Sequence, residues 1–129
     1  MLAKRAFISF DFDHDEDLRN LLAGQAKNPD SPFEIKDRSL KEPLTGDWKG
    51  KVRRRMDNID VVIVICGEYT QAATGVAAEL IIAREARKPY FLLWGRNGKS
   101  CTRPTSALST DKVYSWTWDN LKTLIADGR

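Results

Sequence analysis

The sequence predicts an α/β fold in which helices cover both faces of a parallel sheet, and three observations carry that prediction. Short runs rich in β-formers (RAFISF, FEIK, DVVIVIC and YFLLW) alternate along the chain with segments of helical period. Asp60 to Cys66 is almost continuously apolar and β-branched, the pattern of a strand covered on both sides. The chain has 129 residues, room for one hydrophobic core, so residues 1–129 are read as a single domain.

Arg5 to Phe10 is short, β-rich and followed by polar residues, and is expected to be a central first strand. His14 to Lys27 carries Leu18, Leu21, Leu22 and Gln25 in helical rhythm. It opens on acids that suit the positive end of a helix and stops before Asn28-Pro29. Phe33 to Lys36 alternates as a brief second strand and leads through a long connection to a helix around Trp48, capped by Thr45 or Asp47. Trp48, Val52 and Met56 fall four apart on one stripe of that helix, so Lys49, Lys51, Arg53, Arg54 and Arg55 form a solvated face. The net charge of +3 therefore does not indicate a nucleic-acid partner.

Asp60 to Cys66 is the third strand. Ala72 to Arg87 supports a third helix with Val76, Leu80, Ala83 and Arg87 on one stripe and Thr74 as its cap; Lys88-Pro89 ends it. Tyr90 to Trp94 is the fourth strand. Gly95 to Asp111 is rich in Gly, Ser, Thr and basic residues without a period, so a loop replaces the helix expected there. Lys112 to Trp116 gives strand five, and Asp119 to Ala126 a closing helix with Leu121, Leu124 and Ile125 turned inward. At least one of Trp116 and Trp118 is expected to seal the core, and neither is assigned to the site. Right-handed crossovers then predict a doubly wound, three-layer α/β fold, with a five-stranded parallel sheet in the flavodoxin-like order 2-1-3-4-5 as the favoured topology.

Hydrophobic residues at 42% and charged residues at 30% are ordinary for a globular chain and argue against disorder. The longest apolar run, Val61 to Cys66, is six residues, and the first dozen residues turn acidic, so neither a membrane span nor a signal peptide is expected. Two cysteines, Cys66 and Cys101, suggest neither a disulfide framework nor a metal site and are read as reduced thiols. A cytoplasmic location follows as the expectation.

Ligands in such sheets bind outside the carboxyl ends of the strands, which directs attention to the residues following Phe10, Lys36 and Cys66. A phospho-accepting receiver would need an aspartate ending strand three and a lysine ending strand five, and the chain has Cys66 and Trp116 there. The loop DFDHDED, five acids in seven residues, repels phosphate, and neither G-x-G-x-x-G nor G-x-x-x-x-G-K-[ST] occurs. Asp15, Glu16 and Asp17 suit the first turn of a helix, whereas Asp11 lies nearest the strand end and stays a candidate. Glu79 would lie about 7 Å along the third helix from the carboxyl edge of the sheet. Glu85 is rotated away from that face, and Glu68, directly after strand three, competes with Glu79. Taken by itself, Glu79 also reads as a helix-surface acid paired with a cation. Arg96, Lys99 and Arg103 are candidates for a pyrophosphate contact, although flexible basic loops are commonly just solvated.

RAFISF, the acidic loop, DVVIVICGEYT, GVAAELIIARE and KPYFLLWG together resemble the TIR-like family, small bacterial relatives of Toll/interleukin-1 receptor domains, some of which serve Thoeris-type anti-phage signalling. The resemblance implies a flavodoxin-like fold and, in active members, cleavage of the nicotinamide N-glycosidic bond of NAD, often with cyclisation of the ADP-ribose product. By that resemblance Glu79 matches the catalytic glutamate, and Phe10 and Asp11 match the loop after strand one. Asp37 to Thr45, with Ser39 between them, matches the loop that shapes the substrate cleft. Gly67 and Thr70, following Cys66, match the turn after strand three. Gly75 stands where the family commonly has tryptophan.

The chemistry is also reasonable on physical grounds. Loss of nicotinamide leaves oxocarbenium character on ribose, which a nearby carboxylate stabilises with no metal or held cofactor, NAD being the substrate. Two other classes remain open: a catalytically silent TIR-like interaction module, and an enzyme of the nucleoside deoxyribosyltransferase type. The expected partners are NAD or a related nucleotide, a second copy of the chain, and a downstream effector protein.

Overall fold

A computed structural model of the chain describes residues 3–39 and 46–127. Five strands, β1 (Lys4–Ser9), β2 (Phe33–Arg38), β3 (Val61–Cys66), β4 (Tyr90–Trp94) and β5 (Val113–Tyr114), form one sheet in the order β2-β1-β3-β4-β5. Every pairing is parallel, as the uninterrupted β3 run predicts. The helices are α1 (Glu16–Ala26), α2 (Trp48–Met56), α3 (Thr74–Glu85) and α4 (Trp118–Asp127). None of them is long and apolar enough to cross a membrane.

Alternation along the strands splits the apolar side chains into two cores, one on each face. Ala6, Ile8, Val61, Ile63, Ile65, Phe91 and Leu93 meet Leu18 and Leu22 of α1 and Leu121, Leu124 and Ile125 of α4. Phe7, Val62, Val64, Cys66, Tyr90 and Leu92 meet Val52 and Met56 of α2 and Val76, Leu80, Ile82 and Ala83 of α3. All six residues of β3 are buried, as expected of the strand at the centre of both cores. Val52 and Met56 are buried while Arg53 and Arg54 keep more than half of their side chains in solvent, so the cationic face of α2 is a solvated one. Trp116 and Trp118 pack half-buried against the α1 and α4 side.

Several boundaries differ from the sequence expectation, each for a local reason. Phe10 falls just beyond β1, where its N–H turns to the Ser39 hydroxyl 3.1 Å away. A single 3₁₀ turn, Thr70–Ala72, precedes α3, so Thr74 is its first residue and not its cap; Ala73 takes the cap position without a side-chain hydrogen bond. Asp47 occupies the cap of α2, also without a cap bond, and Thr45 lies outside the described residues. Arg87 lies beyond the end of α3 and not on its buried stripe. There it adopts φ 58°, while Lys88 N–H reaches Ala83 C=O at 2.9 Å and Arg87 N–H reaches Arg84 C=O at 3.0 Å. This is a Schellman ending with arginine where glycine is usual. β5 is two residues long, shorter than Lys112 to Trp116, because it pairs with β4 only through Leu92 and Leu93.

The 95–111 loop has no helix and is pinned by polar contacts. Tyr90 Oη donates to the Asp111 carboxylate at 2.8 Å, Arg103 donates to Asp111 C=O at 2.6 Å, and Ser106 donates to Ala77 C=O at 2.7 Å. Gly95 allows the loop to leave β4 closely: a Cβ there would lie 2.7 Å from Leu18 Cδ1 and 3.0 Å from Cys66 C=O.

Candidate functional site

β1 and β3 end side by side at the carboxyl edge of the sheet, Ser9 being in register with Val64. Ser9 shares a strand face with Phe7 and so looks toward α3. On α3, Glu79 falls within the same core-facing stripe as Val76, Leu80 and Ala83, and only 4% of it is exposed. A carboxyl in that position needs partners, and two serines supply them. Ser9 Oγ donates to Glu79 Oε1 at 2.7 Å and Ser39 Oγ donates to the same oxygen at 2.5 Å. The Ser39 hydroxyl meanwhile accepts the Phe10 N–H, and Ser39 N–H bonds to Ile8 C=O at 2.9 Å, tying the end of β2 to the end of β1. Glu79 is thus a core-facing acid and not a surface acid with a cation.

Burial pushes the Glu79 carboxyl up to about 7, against the opposing pull of the Ser39 and Ser9 hydroxyls and the more distant Arg55 guanidinium. Both hydrogen bonds that Glu79 accepts among the described residues fall on Oε1. Above Glu79 opens a cleft of about 280 Å³, walled by Phe10, Asp11, Phe12, Asp13 and His14 after β1, by Ser39, by Trp48 of α2, and by Ala72 to Val76 at the start of α3. The rings of Phe10 and Phe12 stack with centroids 5.7 Å apart. A Cβ added at Gly75 would meet nothing within 4 Å, so that part of the wall is open.

Of the residues singled out from the sequence, Phe10, Asp11, Ser39, Gly75 and Glu79 come together in this cleft. Asp37 does not line it; it pairs with Arg55 at 3.6 Å on the flank. Cys66 is wholly buried in the α2 and α3 core, and its thiol is pushed up by burial, so it packs and does not line the cleft. Gly67 and Thr70 shape the turn behind it: Gly67 N–H bonds to Thr70 Oγ1 at 2.7 Å, and a Cβ at Gly67 would collide with the Asp15 carboxylate. Glu68 is absent from the cleft lining, and Glu85 pairs with Arg53 at 3.6 Å, which separates both from Glu79.

The basic loop does not supply the cleft. Arg96 holds Asp17 at 2.8 Å, Asp15 at 3.3 Å and His14 C=O at 2.9 Å, and Arg103 is spent on loop carbonyls. Lys99 lines a separate, wider groove of about 850 Å³ with Leu21, Trp94 and Trp116; it is the only charged residue among the described residues lining that groove. The carboxyl-bearing cleft is the better site despite its smaller volume, because titratable groups converge there.

Sequence reasoning missed Ser9, His14 and Trp48. Ser9 had a readable signal, a lone hydroxyl in an apolar central strand, and His14 is the chain's one histidine. Trp48 reaches the cleft only through the packing of α2, which no local pattern reveals.

A flavodoxin-like sheet with a buried glutamate at the floor of a cleft on its carboxyl edge is the arrangement that the resemblance to TIR-like domains implies. Residues 7–99 match the family model described as Thoeris protein ThsB, TIR-like domain, and the chain belongs to that family. None of the curated proteins compared with the chain matches it. The matched span runs from β1 through β4 and contains every described residue that lines the cleft.

Proposed function

We propose that this chain is an NAD-consuming signalling enzyme of a Thoeris-type anti-phage system, cytoplasmic and built as one domain. Glu79 is the carboxylate that stabilises the reaction's cation. The observation that carries the reading is a carboxyl on the core face of α3, buried at a cleft floor and held by two serine hydroxyls. Burying a carboxyl costs several kcal/mol, so a fold that keeps one at the mouth of its sheet gains something else from it.

The nicotinamide end of NAD is cationic at the ring nitrogen. Its entry beside Glu79 favours the ionised carboxyl. The C1′–N bond then breaks with its electron pair going to nicotinamide, and the carboxylate faces the oxocarbenium ion left on ribose. Water gives ADP-ribose, and a hydroxyl of the substrate itself gives a cyclic product that serves as the signal for an effector protein. The three carboxyls of the cleft, Asp11, Asp13 and Glu79, favour the cationic end of the dinucleotide over its pyrophosphate. The volume suits one nucleoside half, being at the lower end of the roughly 300–1,000 Å³ usual for ligand sites. The other half then extends past the open wall at Gly75, where a second copy of the chain would complete the site.

Gly75 also favours a second reading, a TIR-like interaction module that binds partners without turning over NAD, since it removes the family's usual aromatic wall. Incubation of wild type and Glu79→Gln with NAD over a wide range of protein concentration, with products resolved by mass, separates the two. Nicotinamide release that depends on Glu79 supports the enzyme, and the co-product mass tells hydrolysis from cyclisation. Intact NAD at every concentration, with folding verified, rejects the enzyme in favour of the module.

A further inference from the structure

The chain's one histidine lines the same cleft as Glu79, and the reaction as described so far leaves it without a task. His14 Nδ1 lies 2.7 Å from Asp11 Oδ2. An ionised carboxyl has no hydrogen to give, so in this geometry Nδ1 is the nitrogen that donates to Asp11 and Nε2 is the nitrogen left to take up a proton. Asp11 is itself held in place: its side chain is 9% exposed, its Oδ1 accepts the Asp13 N–H at 3.2 Å, and its C=O accepts the Asp15 N–H at 2.8 Å. The imidazole also stacks on Tyr69, with ring centroids 4.4 Å apart and 29° between planes. Among the described residues no hydrogen-bond partner occupies Nε2.

An imidazole fixed at one nitrogen by a carboxylate and open at the other is the arrangement of a general base. Its surroundings also differ from those of Glu79 in the way a division of labour requires. Glu79 is buried and Oε1 is engaged, which suits a fixed counter-charge; His14 keeps 48% of its side chain in solvent, which suits a group that must pass a proton on to water.

We propose that His14, oriented by Asp11, is the general base of the second half-reaction. This rests on the NAD-cleaving reading. After the C1′–N bond has broken, the oxygen of water or of a substrate hydroxyl forms the new bond to C1′. The proton of that O–H moves to His14 Nε2 and from there to solvent. No oxidant or further reactant enters, and nicotinamide leaves neutral with the electron pair of the broken bond.

The test uses a nucleophile whose attacking atom carries no proton. 3-Acetylpyridine can replace nicotinamide on the same intermediate without base catalysis, so the ratio of exchange to hydrolysis and cyclisation reads the partition of the intermediate, whatever its rate of formation. In the full-length chain, His14→Gln is expected to lower hydrolysis and cyclisation by roughly a hundredfold. Exchange with 3-acetylpyridine stays within about threefold of wild type by the same reasoning. Asp11→Asn, which leaves the imidazole in place but disturbs its orientation, moves the partition in the same direction, and Glu79→Gln loses both reactions.

Unchanged hydrolysis and cyclisation in His14→Gln overturns the role, as does an equal loss of all three reactions in both dyad variants. A wild type that leaves NAD intact overturns the underlying function instead, a result distinct from either.

Discussion

Glu79→Gln should remove a pH dependence that the buried carboxyl imposes on folding. Burial lifts this group from 4.5 to about 7 in the folded chain, with the Ser39 and Ser9 hydroxyls holding it back. Below pH 4.5 the carboxyl is protonated both in the folded chain and in the unfolded chain. Between about 4.5 and 7 the unfolded chain sheds the proton while the folded chain keeps it, so stability falls by about 1.4 kcal/mol per pH unit. Above the folded value about 3 kcal/mol has been lost, an amount comparable to a sizeable part of a small domain's total stability. Glutamine does not titrate. The stability of wild type minus that of Glu79→Gln should therefore fall by about 3 kcal/mol between pH 4.5 and 8, all other groups cancelling in the difference. Urea unfolding of both proteins at half-unit pH intervals measures this, with equal m-values confirming comparable unfolding. A difference that stays flat across the range would show that the carboxyl is not held in a low-dielectric site. The same ionisation should appear in turnover: NAD cleavage rises with pH through about 7 if the ionised form is the working one.

Two further predictions concern the scaffold. Arg96→Ala leaves Asp15, whose side chain is 2% exposed, without its cation; the partly exposed guanidinium reduces the usual cost of breaking a buried pair to about 2 kcal/mol. An unchanged urea midpoint would contradict it. Arg87→Gly should raise the thermal midpoint, because glycine relieves the left-handed φ of 58° at the end of α3 for a net gain of up to about 1 kcal/mol; a lowered midpoint would show that the arginine side chain contributes more than its backbone costs.

The sheet was legible because its signal is local. β3 reads as a doubly covered strand from composition alone, and the alternation of runs with helical segments predicts parallel pairing, with the observed order β2-β1-β3-β4-β5 as the favoured topology. Boundaries were less legible where tertiary contacts set them: β5 is cut to two residues by its partner strand, and a 3₁₀ turn displaces the start of α3 to Thr74.

The site divides in the same way. Glu79 was identifiable by its place on the third helix and by family resemblance, and the match over residues 7–99 bears out the family. Its burial was not apparent, although Val76, Glu79, Leu80 and Ala83 follow one stripe, because periodicity shows that a face exists and only packing shows what covers it. Ser9, Ser39 and Glu79 come from β1, the end of β2 and α3, separated by up to 70 positions along the chain, and they meet only because β2 pairs with β1 and α3 packs on the face of β1. The sequence by itself determined the strands, the helices and the edge of the sheet where a ligand would bind, all consequences of short-range pattern and chain connectivity. Only the tertiary structure decided which of Glu68, Glu79 and Glu85 is buried at the cleft, because desolvation depends on atoms that lie close in space and far apart in sequence.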